Sequence, residues 1–282
     1  MAVSSFVPQV WGAAVLAALD EELVYASPIA TNRDYEGEVS EYGGAVVVNT
    51  VADLTIQDYV PYTDMTTGQG TTSQLVMDIN QRKAWSVALD DVDRAQVRDD
   101  VDLVSKISNR AAHQLSKAAD TYVAGLMLAA TTPGAEIASV DTPDEAWNVL
   151  IDLRTQLSDN HVPTDGRFVV VTPKFAGLLL KDQRFIASGD AAAAATRANG
   201  IIGHAAGFVV KESALVPDGP GAGAGKAIIA GHPIATTFAN QISKVEAVRN
   251  PKQFSDTIRG LSLYGAKVVR PTALASRDVV VV

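Results

Sequence analysis

The 282-residue chain contains no cysteine. That single absence removes disulfides, thiolate metal sites and cysteine nucleophiles, and suits a protein made in a reducing cytoplasm. No Asn-x-Ser/Thr acceptor occurs. No apolar run approaches the ~20 residues of a membrane-crossing helix. Val7 to Leu19 is apolar, but no basic residue precedes it, which argues against a secretory signal. Basic residues are missing most unevenly. The first 81 residues hold only Arg33 against eleven acids, a net of −10, while 22 bases and 21 acids leave the remainder at +1, for −9 in all. An acidic chain lacks the basic footprint of a dedicated nucleic-acid binder. The lopsided distribution has two readings: simple solubility, or an acidic segment that lies on the basic part of another copy.

The motifs of common chemistry are missing too. A phosphate loop needs glycine five residues before Gly225, where Pro220 stands, and a hydroxyl after Lys226, where Ala227 stands. Gly221-Ala-Gly223 fails the dinucleotide pattern as well. His113, His161, His204 and His232 are scattered, with no His-x-x-x-His pair to suggest a metal site. Asp90-Asp91-Val-Asp93-Arg94 is the densest polar cluster, yet it lacks the glycine and the terminal glutamate of a calcium loop. It reads better as a polar crossing with Arg94 paired to a carboxylate. No G-x-S-x-G elbow supports serine hydrolysis. The sequence therefore suggests neither an enzyme nor a cofactor.

What the chain does have is length and a core. An apolar fraction of 47% with 20% charged residues marks a globular chain of one large or two modest domains. Its organising stretch runs from about Arg98 to Thr132. Val97, Val101, Val104, Ser108, Ala111, Leu115, Ala118, Tyr122, Gly125 and Ala129 recur at steps of four and three, the stripe of a helix, with Ile107, Val123 and Leu126 widening it. Asp99, Asp100 and Asp102 suit its first turn, and Thr132-Pro133-Gly134 stops it. About 33 residues at ~1.5 Å rise make a spine on the order of 50 Å. Small residues in the stripe disfavour a coiled coil and fit close approach to a sheet or a neighbouring subunit.

Before the spine, residues 1–32 read as an apolar arm with an Ala/Leu helix over Ala13 to Tyr25, docking elsewhere. Ala45 to Thr50, Leu54 to Tyr59, Gln74 to Ile79 and Ala84 to Leu89 are strand-like, with a polar, glycine-bearing tip over 63–72. A long two-stranded ribbon is marginal alone and leans on a partner. After the spine, Thr142-Pro-Asp-Glu145 is a capping box opening a helix to Ser158 through Ala146, Leu150, Leu153 and Leu157. Arg167 to Val171 is a buried-type strand, and Thr172-Pro173 opens a helix to Lys181. Ala191 to Ala195 is helical by propensity. Gly207 to Lys211 and Ala227 to Ala230 are strands joined by the glycine-rich 217–225 loop. Ile242 to Val248 and Leu261 to Val269 are returning strands, with a short helical turn begun by Asn250-Pro251.

Several of these segments carry a resemblance. Phe6-Val-Pro-Gln-Val-Trp11, Asn32-Arg-Asp-Tyr-Glu-Gly37, Asp90-Asp-Val-Asp-Arg-Ala-Gln96, Ala118-Ala-Asp-Thr-Tyr122, Val171-Thr-Pro173 and Leu263-Tyr-Gly-Ala-Lys-Val-Val-Arg-Pro271 resemble, in order, the major capsid proteins of tailed bacteriophages. That coat fold is shared with encapsulins and herpesvirus shell floors. The resemblance implies an α+β fold with an N-terminal arm (1–32) and an extended β-hairpin loop with flanking strands (33–97). A spine helix of a peripheral domain (98–132), an inserted axial α/β domain (133–240) and returning peripheral strands (241–282) complete it. It also implies axial loops that meet at the capsomer centre. No lysine precedes Lys83, so the hairpin cannot supply the lysine by which some members crosslink. The arm starts at Met1, which suggests a separate scaffold or none.

The expected function is a self-assembling subunit of an icosahedral shell around double-stranded DNA, without catalysis or cofactor. The expected location is the host cytoplasm during assembly and then the virion. Expected partners are itself in pentamers and hexamers, a separate scaffolding protein, a portal and a decoration protein. DNA would be touched only weakly and no membrane at all. The alternatives are an encapsulin-type compartment shell or an α/β enzyme using the 133–240 core. Since the resemblance lays the hairpin across a neighbour's spine, Asp53, Asp58, Asp64 and Asp78 are expected to face bases there. Those bases are drawn from Arg98, Lys106, Arg110, Lys117, Arg249, Lys252, Arg259, Lys267 and Arg270.

Overall fold

The computed structural model describes residues 23–34, 45–51, 56, 58, 61–62, 72–90, 100–131, 138–182, 203–220, 225–251 and 253–281. The arm before residue 23, Asp91 to Arg94 and Ala191 to Ala195 lie outside the described residues. Of the strand expected over 54–59, only Ile56 and Asp58 are described, and neither is in a strand. In chain order the elements are β1 (Ala45–Val51), β2 (Thr72–Asp78), β3 (Gln81–Asp90), α1 (Asp100–Ala130), β4 (Ala138–Val140), α2 (Pro143–Asp159), β5 (Phe168–Val171) and α3 (Pro173–Leu179). Then follow β6 (His204–Ala205), β7 (Phe208–Glu212), β8 (Lys226–Gly231), β9 (Thr236–Arg249), β10 (Ser255–Val268) and β11 (Leu274–Val281).

The spine is α1, a helix of 31 residues, or about 46 Å. Among the described residues its buried face overlaps the expected stripe only at Leu115 and at Val123 on the stripe's edge. Gly125 and Ala129 are exposed, and the buried residues are Ala112, Leu115, Ser116, Ala119, Asp120, Val123, Ala124 and Met127. The true face is turned by about one residue, roughly 100°. Two polar residues, Ser116 and Asp120, sit within it, and counting hydrophobicity alone excluded them.

Two sheets flank the spine. The first is antiparallel, in the order β3-β10-β9, with a bulge between Leu261 and Ser262. The β9–β10 hairpin closes through an ordinary turn at Asn250-Pro251 rather than the expected helical one. Every second residue of β10 turns inward toward α1, placing Ile258, Tyr264 and Ala266 in the core. The second sheet has the order β4-β11-β8-β5-β7-β6, with β5∥β7 and β4∥β11 parallel and the rest antiparallel. Its central strand β5 is buried throughout, as a strand covered on both faces should be.

Helix α2 covers this sheet because its sequence makes it amphipathic and caps it. Ala146, Leu150, Leu153 and Leu157 are all buried, joined by Val149. The capping box is present: Thr142 Oγ1 accepts from the Glu145 N–H at 3.4 Å, and Glu145 Oε2 accepts from the N–H groups of Asp141 and Thr142 at 2.8 and 3.0 Å. These backbone donors hold the Glu145 carboxyl below the usual carboxylate range. At the other end, the buried Arg167 guanidinium donates to the carbonyls of Pro163, Val162 and Arg154 and to Ser158 Oγ, at 2.6 to 3.3 Å. Carbonyl oxygens at a helix C-terminus are the environment a cation prefers.

One expectation of organisation changes. Residues 241–282 do not all return to the peripheral sheet, since β11 pairs with β8 and β4 in the six-stranded sheet. Its Arg277 and Asp278 mask a strand whose other positions are apolar or small, and Asp278 itself is buried. The six-stranded sheet is thus assembled from residues 138–231 and 274–281, with β9 and β10 as an excursion between them.

Candidate assembly interface

Four parts of the chain converge on the middle of the spine. Asp120 points from α1 into the segment that follows residue 22. Its carboxylate accepts from the Val24 N–H at 2.8 Å and from the Ala26 N–H at 3.0 Å. Leu23, Tyr25, Ala26 and Ala30 are buried there, so the root of the arm packs on its own chain rather than elsewhere. Burial pushes the Asp120 carboxyl above its usual range, against the bonds from Ala26 and Val24. It pushes the Tyr25 phenol up as well, with Asp120 adding to the shift.

The root then meets β9. Asn32 N–H donates to Thr236 O at 2.8 Å, and Phe238 N–H donates back to Asn32 O at 2.9 Å. Arg33 donates to Ala26 O at 3.0 Å and lies 5.8 Å from the Phe238 ring centroid. Phe238 touches Tyr264 of β10, and Tyr264 meets Tyr122 of the spine edge-on at 5.8 Å between centroids. Tyr122 OH bonds Asn80 Oδ1 at 3.2 Å, at the link between β2 and β3. A chain of contacts therefore runs from arm root to long sheet to spine to ribbon base. Asn32, Tyr122 and Tyr264 come from three of the segments that carried the sequence resemblance.

The ribbon of β1 and β2 springs from this junction. Its strands pair from Ala45↔Asp78 to Val51↔Thr72. At its root, Met77 and Ile79 bury with Ala239 in a small separate core. The root crosses β10 at Gly265, where a Cβ would come within 2.6 Å of Asp78 O. Only glycine permits that approach. Farther out, no described part of the chain covers the ribbon. Val47 and Val76 are direct cross-strand partners, and both are nearly half exposed. Ile56 and Tyr62 are exposed almost completely, and Asp58 is exposed between them. Tyr62 also has φ of 65°, rare for a bulky residue.

The charged residues expected to face a neighbour fall into three groups. Asp53, Asp64, Arg98 and Lys252 lie outside the described residues, and Lys106 is described only as part of α1. Asp58, Asp78, Arg110, Lys117, Lys267 and Arg270 are exposed. Arg249 and Arg259 are engaged within their own sheet. Arg249 meets Asp256 at 3.1 Å and Arg259 meets Glu246 at 2.7 Å, each pair directly across the β9–β10 ladder. Sequence reasoning missed Asp120, because a lone acid in a helix pattern reads as solvent-facing. Among the described residues no group of three or more His, Asp or Glu side chains could hold a metal ion, and no helix is long and apolar enough to cross a membrane.

The whole arrangement matches solved structures. One from Mycobacterium phage Che8 shares 27% identity, over 98% of this chain and 94% of that one, with a TM-score of 0.74. The capsid of cyanophage P-SCSP1u shares 17% over 86% and 85%, with a TM-score of 0.66. A virus-like particle from Pyrococcus furiosus shares 12% over 96% and 99%, with a TM-score of 0.58. A search of curated proteins gives no match. Spine, long sheet, free ribbon and second sheet define a shell-forming structural subunit with the tailed-phage coat fold. Residues 80–276 match the phage capsid protein family model, and the chain belongs to that family. It assembles with itself into a shell, and its place is the virion capsid.

Proposed function

We propose that this chain is the major capsid protein of a tailed phage, forming pentamers and hexamers of an icosahedral shell around double-stranded DNA. The observation that carries this is the ribbon: two paired strands that no other described part of the chain covers beyond their root, with the facing Val47 and Val76 both nearly half exposed. Such a ribbon is not stable alone in water, and exposed strand edges seek partners. The subunit performs no catalysis. It assembles in the host cytoplasm with a separate scaffolding protein and a portal, with a decoration protein as a further partner. Its contact with packaged DNA is weak and non-specific, as its net charge of −9 requires.

Between copies, the acids of the hairpin (Asp53, Asp58, Asp64 and Asp78) lie on bases of the neighbouring spine and sheet. Arg110, Lys117 and Lys267 are the best placed of those described, since Arg249 and Arg259 already have partners at home. Arg98, Lys106 and Lys252 complete the set. The test is negative-stain microscopy of the expressed protein, with and without scaffold. Capsomers, shells or tubes are the expected result. A single species near 30 kDa at every concentration and salt would reject the reading.

The encapsulin-type alternative shares the fold, as the Pyrococcus furiosus particle illustrates. Terminase and portal genes beside this one support the phage reading, whereas a cargo enzyme gene would support the compartment.

A further inference from the structure

Two crossings between the sheets run side by side and bend at the same place. The β9–β10 ladder ends at the Thr236↔Val268 pair, and the β8–β11 ladder begins again at Gly231↔Leu274. The four strands make a single two-stranded path through both sheets, interrupted only over 232–235 and 269–273. Each interruption holds a 3-10 turn headed by proline, Pro233–Ala235 and Pro271–Ala273. Proline brings no N–H, so an ordinary ladder lapses there. Crosswise bonds take its place. His232 N–H donates to Ala273 O at 3.2 Å, and the N–H groups of Val269 and Arg270 donate to Ala235 O at 2.8 and 3.1 Å.

The loop between α2 and β5 is fastened to both turns by side chains. Asn160 donates to Thr272 O at 3.1 Å. His232 fastens the other turn: its Nδ1 accepts from the Ile234 N–H at 3.2 Å. The opposite edge of the ring faces Asp165 and Gly166, and the Asp165 carbonyl accepts from it. The loop itself is firmly built, because the buried Arg167 guanidinium grips the carbonyls of Val162 and Pro163. With one nitrogen accepting and the other donating, the imidazole is neutral, and a second proton would set a donor against the Ile234 N–H. The titratable and charged groups on the elements packed there are His161 and Asp165 of the loop, Arg167 before β5, and Arg270 on the facing turn. Burial holds the His232 pKa below its ordinary value, with Arg167 adding to the shift and Asp165 opposing it.

We propose that the doubled bend is the joint on which the two sheets tilt, and that His232 is its pin, closed at neutral pH and drawn by a proton. This rests on the shell reading above. Pentamers and hexamers set one chain in different surroundings, and a joint of three crosswise bonds absorbs the difference while the ladders on either side stay intact. The fold favours the neutral ring, so the stabilisation is complete above histidine's ordinary range and is lost as pH falls through the lowered value.

Hydrogen exchange on the purified full chain, assembled or not, reads the joint directly. Peptides over residues 230–238 and 268–276 are followed at about pH 7.5 and about pH 5.5, with intrinsic rates divided out. Wild type is expected to lose roughly two- to tenfold protection there on acidification, the consequence of one lost hydrogen bond. Helix α2 should keep its protection. His232→Asn retains an acceptor for the Ile234 N–H and cannot titrate, so its bend should stay protected at both pH values. It also leaves Asp120 in place, which separates the two acid responses. His232→Phe should exchange fast throughout, and its shells should spread more widely in diameter than those of His232→Asn. A wild-type bend indifferent to acid, or one that loosens equally in His232→Asn, overturns the pin. Equal spread of diameters in the two variants overturns its part in assembly. A chain that stays monomeric yet loosens through His232 keeps the pin and overturns the shell reading.

Discussion

Asp120 is the residue on which the arm depends. It is buried in the spine, and its two oxygens answer two backbone N–H groups that have no other acceptor in the described structure. Replacing it with alanine leaves the buried Ala26 donor without an acceptor, at about 1–3 kcal/mol, and the half-buried Val24 donor at about 1 kcal/mol. We expect Asp120→Ala to destabilise the subunit by roughly 2–4 kcal/mol and to expose the arm root to protease. The pH dependence runs opposite to that of an ion-paired carboxylate. Burial raises the Asp120 pKa in the folded chain, so the protonated form is favoured by folding. The stabilisation from that proton is complete below the ordinary carboxylate range and disappears as pH rises through the raised value. Denaturation of wild type and Asp120→Asn between about pH 4 and pH 7 should show this limb only in the wild type.

Among elements, the ribbon and the spine carry the fold, and they differ in how far the sequence reveals them. The spine's existence, its length and the capping box of α2 follow from local chemistry: periodicity, acids in the first turn, Thr142 with Glu145. The spine's rotation does not, because Asp120 and Ser116 are buried by a partner segment that a helical wheel cannot see. The same is true of β11, where Arg277 and Asp278 interrupt the apolar pattern of a strand inside a sheet. Asn32, Tyr122 and Tyr264 stood in segments recognisable by resemblance, but only the fold shows them in one line of contacts. The ribbon's attachment gives a sharp test. At Gly265 an added methyl would strike the backbone of Asp78 and Ile79, which cannot swing aside. Gly265→Ala should lift the ribbon root at an overpacking cost of about 1–3 kcal/mol. Hydrogen exchange should speed up in β1 and β2 while α2 keeps its protection, and shell yield should fall.

At the scale of the whole molecule, charge is segregated along the chain, with −10 before residue 82 and +1 after it. Of the described residues, Asp78 ends β2 and Asp58 lies in the connection between the ribbon strands, while Arg110 and Lys117 are exposed on the spine. Each exposed pair between copies is worth only about 0–1 kcal/mol, so a single contact decides nothing. Repetition over every interface lets weak pairs choose register and reject wrong neighbours. We expect Asp58→Lys with Asp64→Lys to reduce closed shells most at low salt. The difference should shrink toward 1 M salt, where the screening length falls from about 10 Å to about 3 Å. A double variant that assembles like wild type at low salt would leave the acidic leader as a solubility feature only.

The position of β11 has a consequence in time. The strands it joins, β4 and β8, leave the ribosome well before it. Until residues 274–281 emerge, β8 has an open edge and β4 has no neighbour. Such a sheet is held by contacts distant in sequence, a topology that folds slowly. Synthesis of β9 and β10 lies between the two halves, so the ribbon is exposed and sticky while the body that should orient it is unfinished. A nascent chain in that state is prone to pair with the wrong edge. Subunit folding and shell growth are thereby ordered: a chain presents its completed body to neighbours only after its last strand has closed the sheet.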